Sequence, residues 1–437
     1  MAKYLELYEK YKSLITSGMM AAGTKLPSVR RASAELSLSR TTVENAYATL
    51  AAEGYVSAKP QSGYFVNDLL LEKGEKSLVE PQNGKEEKNE ILYDLVSIKA
   101  DKESFDFALW RRYIKSALRQ DTRLLSYGDS RGESDLRAAA AKFVREQRGV
   151  VGSAENVVVS AGTQSLLSFL CVLFKKEETV VFLGAEFPKG KTVFEDYGKR
   201  VINLAEFDEK KLSEIGSSLI YVSPSHFDSE GGVLSVGERR KIVEYARRNS
   251  CFVIEDDYDS EFRYTSRPIM SLQGLDGGRN VVYIGSFSRL LLPSIRVSFM
   301  VLPQELFKEF EKRALLYNQT ASKTEQIALC QYITDGHLLS RIKRQRRSYA
   351  QKSEMLCRRG NELLKGFAAF SRCEAAYLIK VKAVKERDSR EIAHIAAQNL
   401  VKVRPSERES GTVFLSCAGF DAEKTDDMLK RLKAAFV

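Results

Sequence analysis

Apolar positions recur along this chain at two periods, and the switch between them marks its organisation. Across residues 3–16, Leu5, Tyr8, Leu14 and Ile15 fall at helical spacing and predict an amphipathic helix stopped by Gly18. Pro27 opens a turn, and Ser28 is placed to cap a second helix that runs to about Leu36. After a break at Leu38, Ser39 can cap a third helix with Val43, Ala46, Tyr47, Leu50 and Ala51 on one face. Two short helices joined by a tight turn predict a helix-turn-helix. The β-rich runs at 55–58 and 64–66 flank Lys-Pro-Gln-Ser-Gly63 and predict a two-stranded wing.

Residues 71–90 are rich in Lys and Glu, carry Gly74, Pro81 and Gly84, and lack aromatics, which predicts a solvated linker. From residue 92 onward helices alternate with continuous apolar runs at 156–160, 179–183, 218–223, 251–255 and 281–285. Runs of that length and composition predict central strands covered on both faces, hence an α/β domain. Past Pro303 the pattern turns helical, and strands near 376–381 and 412–416 predict a smaller C-terminal α+β subdomain. The expected division is 1–68, a linker over 69–91, and 92–437. A basic cluster, Arg341-Ile-Lys-Arg-Gln-Arg-Arg347, is expected to be a solvated helix face.

Composition changes this picture little. A chain of 437 residues exceeds one ordinary core, and 43% hydrophobic with 29% charged residues is the balance of a soluble globular protein. No apolar run reaches the about 18 residues of a membrane span, and the first residues lack the core of a signal peptide, so a cytoplasmic protein is expected. Six cysteines without a Cys-x-x-Cys pair predict reduced thiols, and three scattered histidines predict no metal site. The net charge of +10 allows a nucleic-acid partner without demanding one.

Specific residues carry more. Arg40, Thr41 and Thr42 lie at the start of the third helix, where backbone amides favour a phosphate, and arginine is the commonest reader of guanine edges. The whole stretch from Leu26-Pro-Ser-Val-Arg30 to Ser62-Gly-Tyr-Phe-Val66 resembles the winged helix-turn-helix of GntR-family repressors. That resemblance implies a double-stranded DNA operator as partner. It gives Arg30, Ser39, Arg40, Thr41 and Thr42 roles at the major groove or its phosphates, and puts Gly63 in the wing near the minor groove. Glu44 departs from relatives that carry a further arginine there.

In the larger part, Val159-Ser-Ala-Gly-Thr-Gln-Ser165 reads as a strand, a small-residue turn and a helix start, an arrangement that can seat an anion. Glu255, Asp256, Asp257 and Asp259 crowd the end of a buried strand, which is costly without a task. Asp256 and Tyr258, two apart, share one face of extended chain. Residues 281–303 form a β-branched strand, a Ser-rich turn and a second apolar strand. With these segments in this order, the region resembles the pyridoxal-phosphate aminotransferases in the version carried by MocR-type regulators.

The resemblance implies a fold-type I aminotransferase-like domain with its cofactor phosphate on Gly162, Thr163, Gln164, Ser286, Ser288 and Arg296. It implies Phe187 stacked on the ring, His226 beside it, Asp256 at the pyridine nitrogen and Tyr258 at the ring hydroxyl. Ser126-Tyr127-Gly128 matches a segment that reaches the partner subunit's phosphate, which implies a homodimer. Departures gather around the chemistry. Arg289 stands where the family has the lysine that bonds the cofactor aldehyde, and a guanidinium is no imine nucleophile. Phe227 replaces a usual glutamine, residues 229–232 alter a turn, and the strand near 415–420 offers no arginine for a substrate carboxylate. Lys189 is a candidate anion contact, and Arg289 itself could hold a carboxylate or phosphate. The resemblance therefore implies a DNA-binding regulator without transaminase activity that senses pyridoxal phosphate non-covalently, or another small anionic, amino acid-derived effector. The alternative is a pyridoxal-phosphate aminotransferase with an appended DNA-binding domain.

Overall fold

The computed structural model describes residues 3–68, 91–96, 105–174, 178–184, 187–216, 218–263, 269–373 and 377–437. The expected linker lies outside them except for residue 91. The chain divides into two compact units, residues 1–86 and 87–437.

The first unit packs three helices against a hairpin. Helix α1 (Lys3–Thr16) buries Leu7, Tyr8, Tyr11 and Ile15, while Leu5 is only half-buried. Ser28 caps α2 (Val29–Leu36) by accepting from the Arg31 amide at 3.3 Å. Ser37, at φ 54°, ends α2 in the left-handed region and turns the chain sharply. Ser39 then caps α3 (Arg40–Ala52), accepting from the Thr42 amide at 3.1 Å. Val43, Ala46, Tyr47 and Leu50 of α3 are fully buried and form the centre of this small core. Strands β1 (Val56–Lys59) and β2 (Gly63–Val66) pair antiparallel from Val56↔Val66 to Lys59↔Gly63. This is the expected winged helix-turn-helix.

The second unit is built on a seven-stranded sheet. After the short β3 (Tyr93–Asp94) come β4 (Val157–Ser160), β5 (Thr179–Leu183), β6 (Arg200–Leu204), β7 (Leu219–Val222), β8 (Phe252–Asp257), β9 (Val281–Ser286) and β10 (Ser298–Val301). Their spatial order is β4-β10-β9-β8-β7-β5-β6, parallel throughout except for β10, which runs antiparallel to both neighbours. Alternate residues pack on opposite faces: Val180 and Phe182 join one apolar cluster, Val181 and Leu183 another. Both faces being covered is why these strands read as unbroken apolar runs. Strand β8 extends beyond the predicted 251–255, carrying Asp256 and Asp257 inside the sheet.

The C-terminal subdomain is a four-stranded antiparallel sheet of β11 (Ala368–Arg372), β12 (Leu378–Ala383), β14 (Arg404–Pro405) and β15 (Thr412–Ser416), in the order β11-β12-β15-β14. A parallel bridge between β3 and β13 (Val401–Lys402) ties it to residues 93–94. The basic cluster corrects an expectation. It lies on the long helix His337–Leu363, and Lys343, Arg344 and Arg347 are exposed, but Arg341 is only 1% exposed. Its guanidinium donates to the Leu290 and Leu291 carbonyls at 2.8 and 3.0 Å. Carbonyls left over at the turn after Arg289 supply the buried cation with partners, so it is a structural anchor and not part of a solvated face.

Candidate functional site

In the second unit a cavity of about 620 Å³ opens where the ends of β4, β7, β8, β9 and β10 converge. One end is made by the turn from β4 into the helix Thr163–Leu173. Gly162 sits at φ +96°, and a Cβ there would overlap the Arg296 guanidinium. Only glycine allows both the left-handed backbone and an arginine laid across the helix N-terminus. Thr163 and Gln164 line this end, and Gln164 Nε2 donates to the Lys189 carbonyl at 3.1 Å. Ser286 and Ser288 line the cavity from the turn after β9. Ser298 donates to Ser286 at 3.0 Å, and Ser288 donates to the Ile295 carbonyl at 2.6 Å, which holds the turn closed.

The other end is acidic and aromatic. Asp256 and Tyr258, leaving β8, both line it. Tyr221 on β7 donates its hydroxyl hydrogen to Asp256 Oδ2, and burial pushes the Asp256 carboxyl up to about 7 against the pull of that hydrogen bond. Phe187 stacks on Tyr221 at 5.9 Å and 25°. His226 does not line the cavity. It stacks on Tyr258 at 4.7 Å and 6°, and burial lowers its pKa, which favours the neutral ring.

Arg289 projects into the cavity with its side chain 38% exposed. Its guanidinium carbon lies 5.5 Å from the Tyr258 ring centroid, and its Nε is 3.9 Å from Asp259 Oδ2. Partial burial works against its charge, but Asp259 and the Tyr377 and Tyr258 hydroxyls outweigh that and hold its pKa above the usual range. Asp259 takes φ 67° and accepts from the Tyr377 hydroxyl at 3.0 Å. Among the described residues the Arg289 side chain makes no hydrogen bond, its nearest acid being Asp259 at 3.9 Å, so its five N–H donors are unspent.

The remaining acids of the crowded segment have structural partners. Asp257 pairs with buried Arg148 at 2.6 Å and accepts from Tyr283 at 2.9 Å. Glu255 accepts from the Leu272 and Gln273 amides at 2.8 and 2.9 Å, at the start of a short helix. The segment is therefore shared between the cavity and the fold.

The cavity gathers Thr163, Gln164, Phe187, Asp256, Tyr258, Ser286, Ser288, Arg289 and Arg296, together with Lys189; Gly162 lies beneath Arg296. Tyr127 is not brought there: it is 98% exposed, on a loop fastened by Lys323 to the Ser126 carbonyl at 2.9 Å. Tyr221 and Asp259 were not anticipated, because a tyrosine in an apolar run and an acid among acids carry no distinguishing local signal. Arg404 was also missed. The 415–420 stretch lacks an arginine, as read, but β14 pairs Arg404 with Phe414 and lays its guanidinium 5.6 Å from that ring.

The anion seat and the buried acid fit a phosphorylated pyridine: Thr163, Gln164 and Arg296 would hold the phosphate, and Asp256 would meet a ring nitrogen. Bound, such a group supplies an electron sink at its ring. Arg289 does not fit the covalent half of that chemistry.

In the first unit, Arg30, Arg40, Thr41 and Gly63 are exposed and Thr42 is half-buried. The Ser39 hydroxyl is spent on the cap and on a 2.7 Å bond with the Thr42 hydroxyl.

The architecture of the second unit is that of a fold-type I aminotransferase. Pyrococcus horikoshii kynurenine aminotransferase superposes with a TM-score of 0.67 at 21% identity, covering 80% of this chain and 91% of that one. The alpha-aminoadipate aminotransferase of Thermus thermophilus gives 0.65 at 22% identity, covering 78% and 91%. The family described as aminotransferase class I and II matches residues 97–432, and that of the gntR-family bacterial regulatory proteins matches residues 3–66. The uncharacterized HTH-type transcriptional regulator YdeL of Bacillus subtilis is 32% identical over 99% of this chain and 96% of its own. The Probable rhizopine catabolism regulatory protein MocR of Rhizobium meliloti is 29% identical over 81% and 77%, and the pyridoxine biosynthesis regulator PdxR of Corynebacterium glutamicum 27% over 80% and 77%. The chain belongs to the aminotransferase class I and II family joined to a GntR domain, and is a transcriptional regulator of the GntR and MocR type. Among the described residues no helix is long and apolar enough to cross a membrane.

Proposed function

We propose that this chain binds an operator through its winged helix-turn-helix and senses a small anionic ligand in the second unit without forming a covalent bond to it. The observation that carries this is Arg289, a charged side chain with unspent donors facing a cavity that keeps an anion seat and a buried acid. Transamination needs a base to move the Cα proton, and a guanidinium that stays protonated is a poor one. Exposed Tyr127, with Leu125, Leu315 and Leu316 exposed by 89%, 93% and 82%, supports a homodimer in which a second copy covers these side chains. A ligand that prefers one arrangement of the dimer would change the spacing of the DNA domains and so operator affinity.

The test is to mix full-length protein with pyridoxal phosphate, reduce with borohydride and digest for mass spectrometry. The wild type should carry no pyridoxyl group at residue 289, whereas Arg289→Lys should carry one there. Turnover of amino acids by the wild type at the revertant's rate would overturn the sensor reading. Aminotransferase activity is the second reading, favoured by Lys189 lining the same cavity; a reduced adduct on Lys189 would support it.

A further inference from the structure

We infer that the cavity takes a ligand with two separated anions: a phosphate monoester at the Gly162–Arg296 end and a carboxylate on Arg289, joined by an aromatic ring. This rests on the reading that the cavity holds a small anionic ligand, and it names the class of that ligand.

The two guanidiniums have different neighbours. Arg296 lies against Gly162 over the N-terminus of the helix Thr163–Leu173, where amides and dipole add to its charge. Arg289 instead lies among Tyr258, Asp259 and Tyr377. A lone phosphate against Arg296 leaves the guanidinium of Arg289 without a hydrogen-bond acceptor, since Asp259 lies at 3.9 Å. Lys189, Arg289 and Arg296 line the cavity against one acid, Asp256.

The chemistry at Arg289 selects a carboxylate. Asp259 at 3.9 Å is too far to accept a hydrogen bond, yet close enough to offset part of the charge. A monoanion therefore balances that end better than a second phosphate dianion. The planar fork of a guanidinium donates two parallel bonds to a carboxylate, whereas an aldehyde or alcohol oxygen takes neither the charge nor the second bond. Between the ends, Phe187 stacked on Tyr221 and Tyr258 backed by His226 present aromatic surface to a flat ring.

Isothermal titration of the full-length protein decides this with two probes that differ at one position. One is the pyridoxal phosphate analogue whose aldehyde is oxidised to a carboxylate, and the other is the analogue reduced to an alcohol. The acid should bind at least about tenfold more tightly than the alcohol, and in Arg289→Gln the ratio of the two affinities should fall to near one. Equal affinities in the wild type, or a preference that survives in Arg289→Gln, would overturn the inference while leaving an anion-binding cavity intact. If Arg289→Gln does not fold, the wild-type comparison still decides. Binding of neither probe would overturn the sensor reading as well.

Discussion

The Tyr221 hydroxyl on β7 donates to Asp256 at the end of the neighbouring strand β8, and both side chains are buried, 2% and 5% exposed. Burial holds the Asp256 carboxyl at about 7, well above its ordinary 3.8. The folded protein therefore keeps a proton across that window that the unfolded chain gives up. Stability from this group is present below the ordinary value and is lost as pH rises towards 7. Asp256→Asn should flatten the pH dependence of urea unfolding between these values by up to one proton, about 1.4 kcal/mol per pH unit. Glu255 and Glu261, pushed up to about 7 and about 8 by burial, share the sign and keep the variant's slope from vanishing. Superimposable profiles would refute the assignment.

One residue further on, Asp257 behaves oppositely. Burial alone would raise its pKa, but Arg148 at 2.6 Å outweighs burial and holds it below its usual range. Arg148→Met leaves a fully buried carboxylate without its cation. The second unit should lose on the order of 3–5 kcal/mol, read as a shift of its urea transition. Retention of wild-type stability would mean that Asp257 finds another partner.

Adjacent acids with opposite fates show how far the residues alone could be read. The strands, the wing and the two caps, Ser28 and Ser39, follow from local periodicity and capping chemistry, which act over a few residues. Asp256, Tyr258, Ser286, Ser288 and Arg296 were legible as one site because their segments come in a recognisable order. Tyr221 was not, since its hydroxyl partner lies on another strand and its ring looks like core. Arg341 looked like surface because the carbonyls of Leu290 and Leu291 that satisfy it are about fifty residues away. Arg404 reaches the neighbourhood of the 415–420 strand only through the β14–β15 register.

Gly162 combines a backbone requirement with a steric one. Gly162→Ala must strain φ +96° and displace the Arg296 guanidinium, so it should lose stability on the order of 1–3 kcal/mol and weaken binding of a phosphate-bearing ligand at least about tenfold. Gly216→Ala provides the comparison: it too lies at positive φ, +65°, but a Cβ there meets nothing within 4 Å. It should show the backbone cost in the same urea experiment and leave ligand affinity unchanged. Equal loss of affinity in both variants would remove the special role of the Gly162–Arg296 contact.

At the start of α3, Ser39 and Arg40 separate stability from recognition. The Ser39 hydroxyl caps the Thr42 amide at 3.1 Å, whereas Arg40, the first residue of α3, is exposed. Ser39→Ala should cost the first unit about 1 kcal/mol, read from its thermal unfolding. Arg40→Ala should leave that unfolding unchanged. On the operator the order reverses. On the proposed contact of Arg40 with the major groove or its phosphates, Arg40→Ala removes an exposed cation and affinity should fall. If the contact is to a phosphate, the loss is similar for every sequence and the slope of log affinity against log salt becomes shallower by about 1. If it is to a guanine edge, the loss is confined to the cognate site and amounts to about 1–3 kcal/mol. Salt titrations on cognate and scrambled duplexes distinguish the two, and an Arg40→Ala variant that binds both duplexes like the wild type would remove Arg40 from the DNA interface.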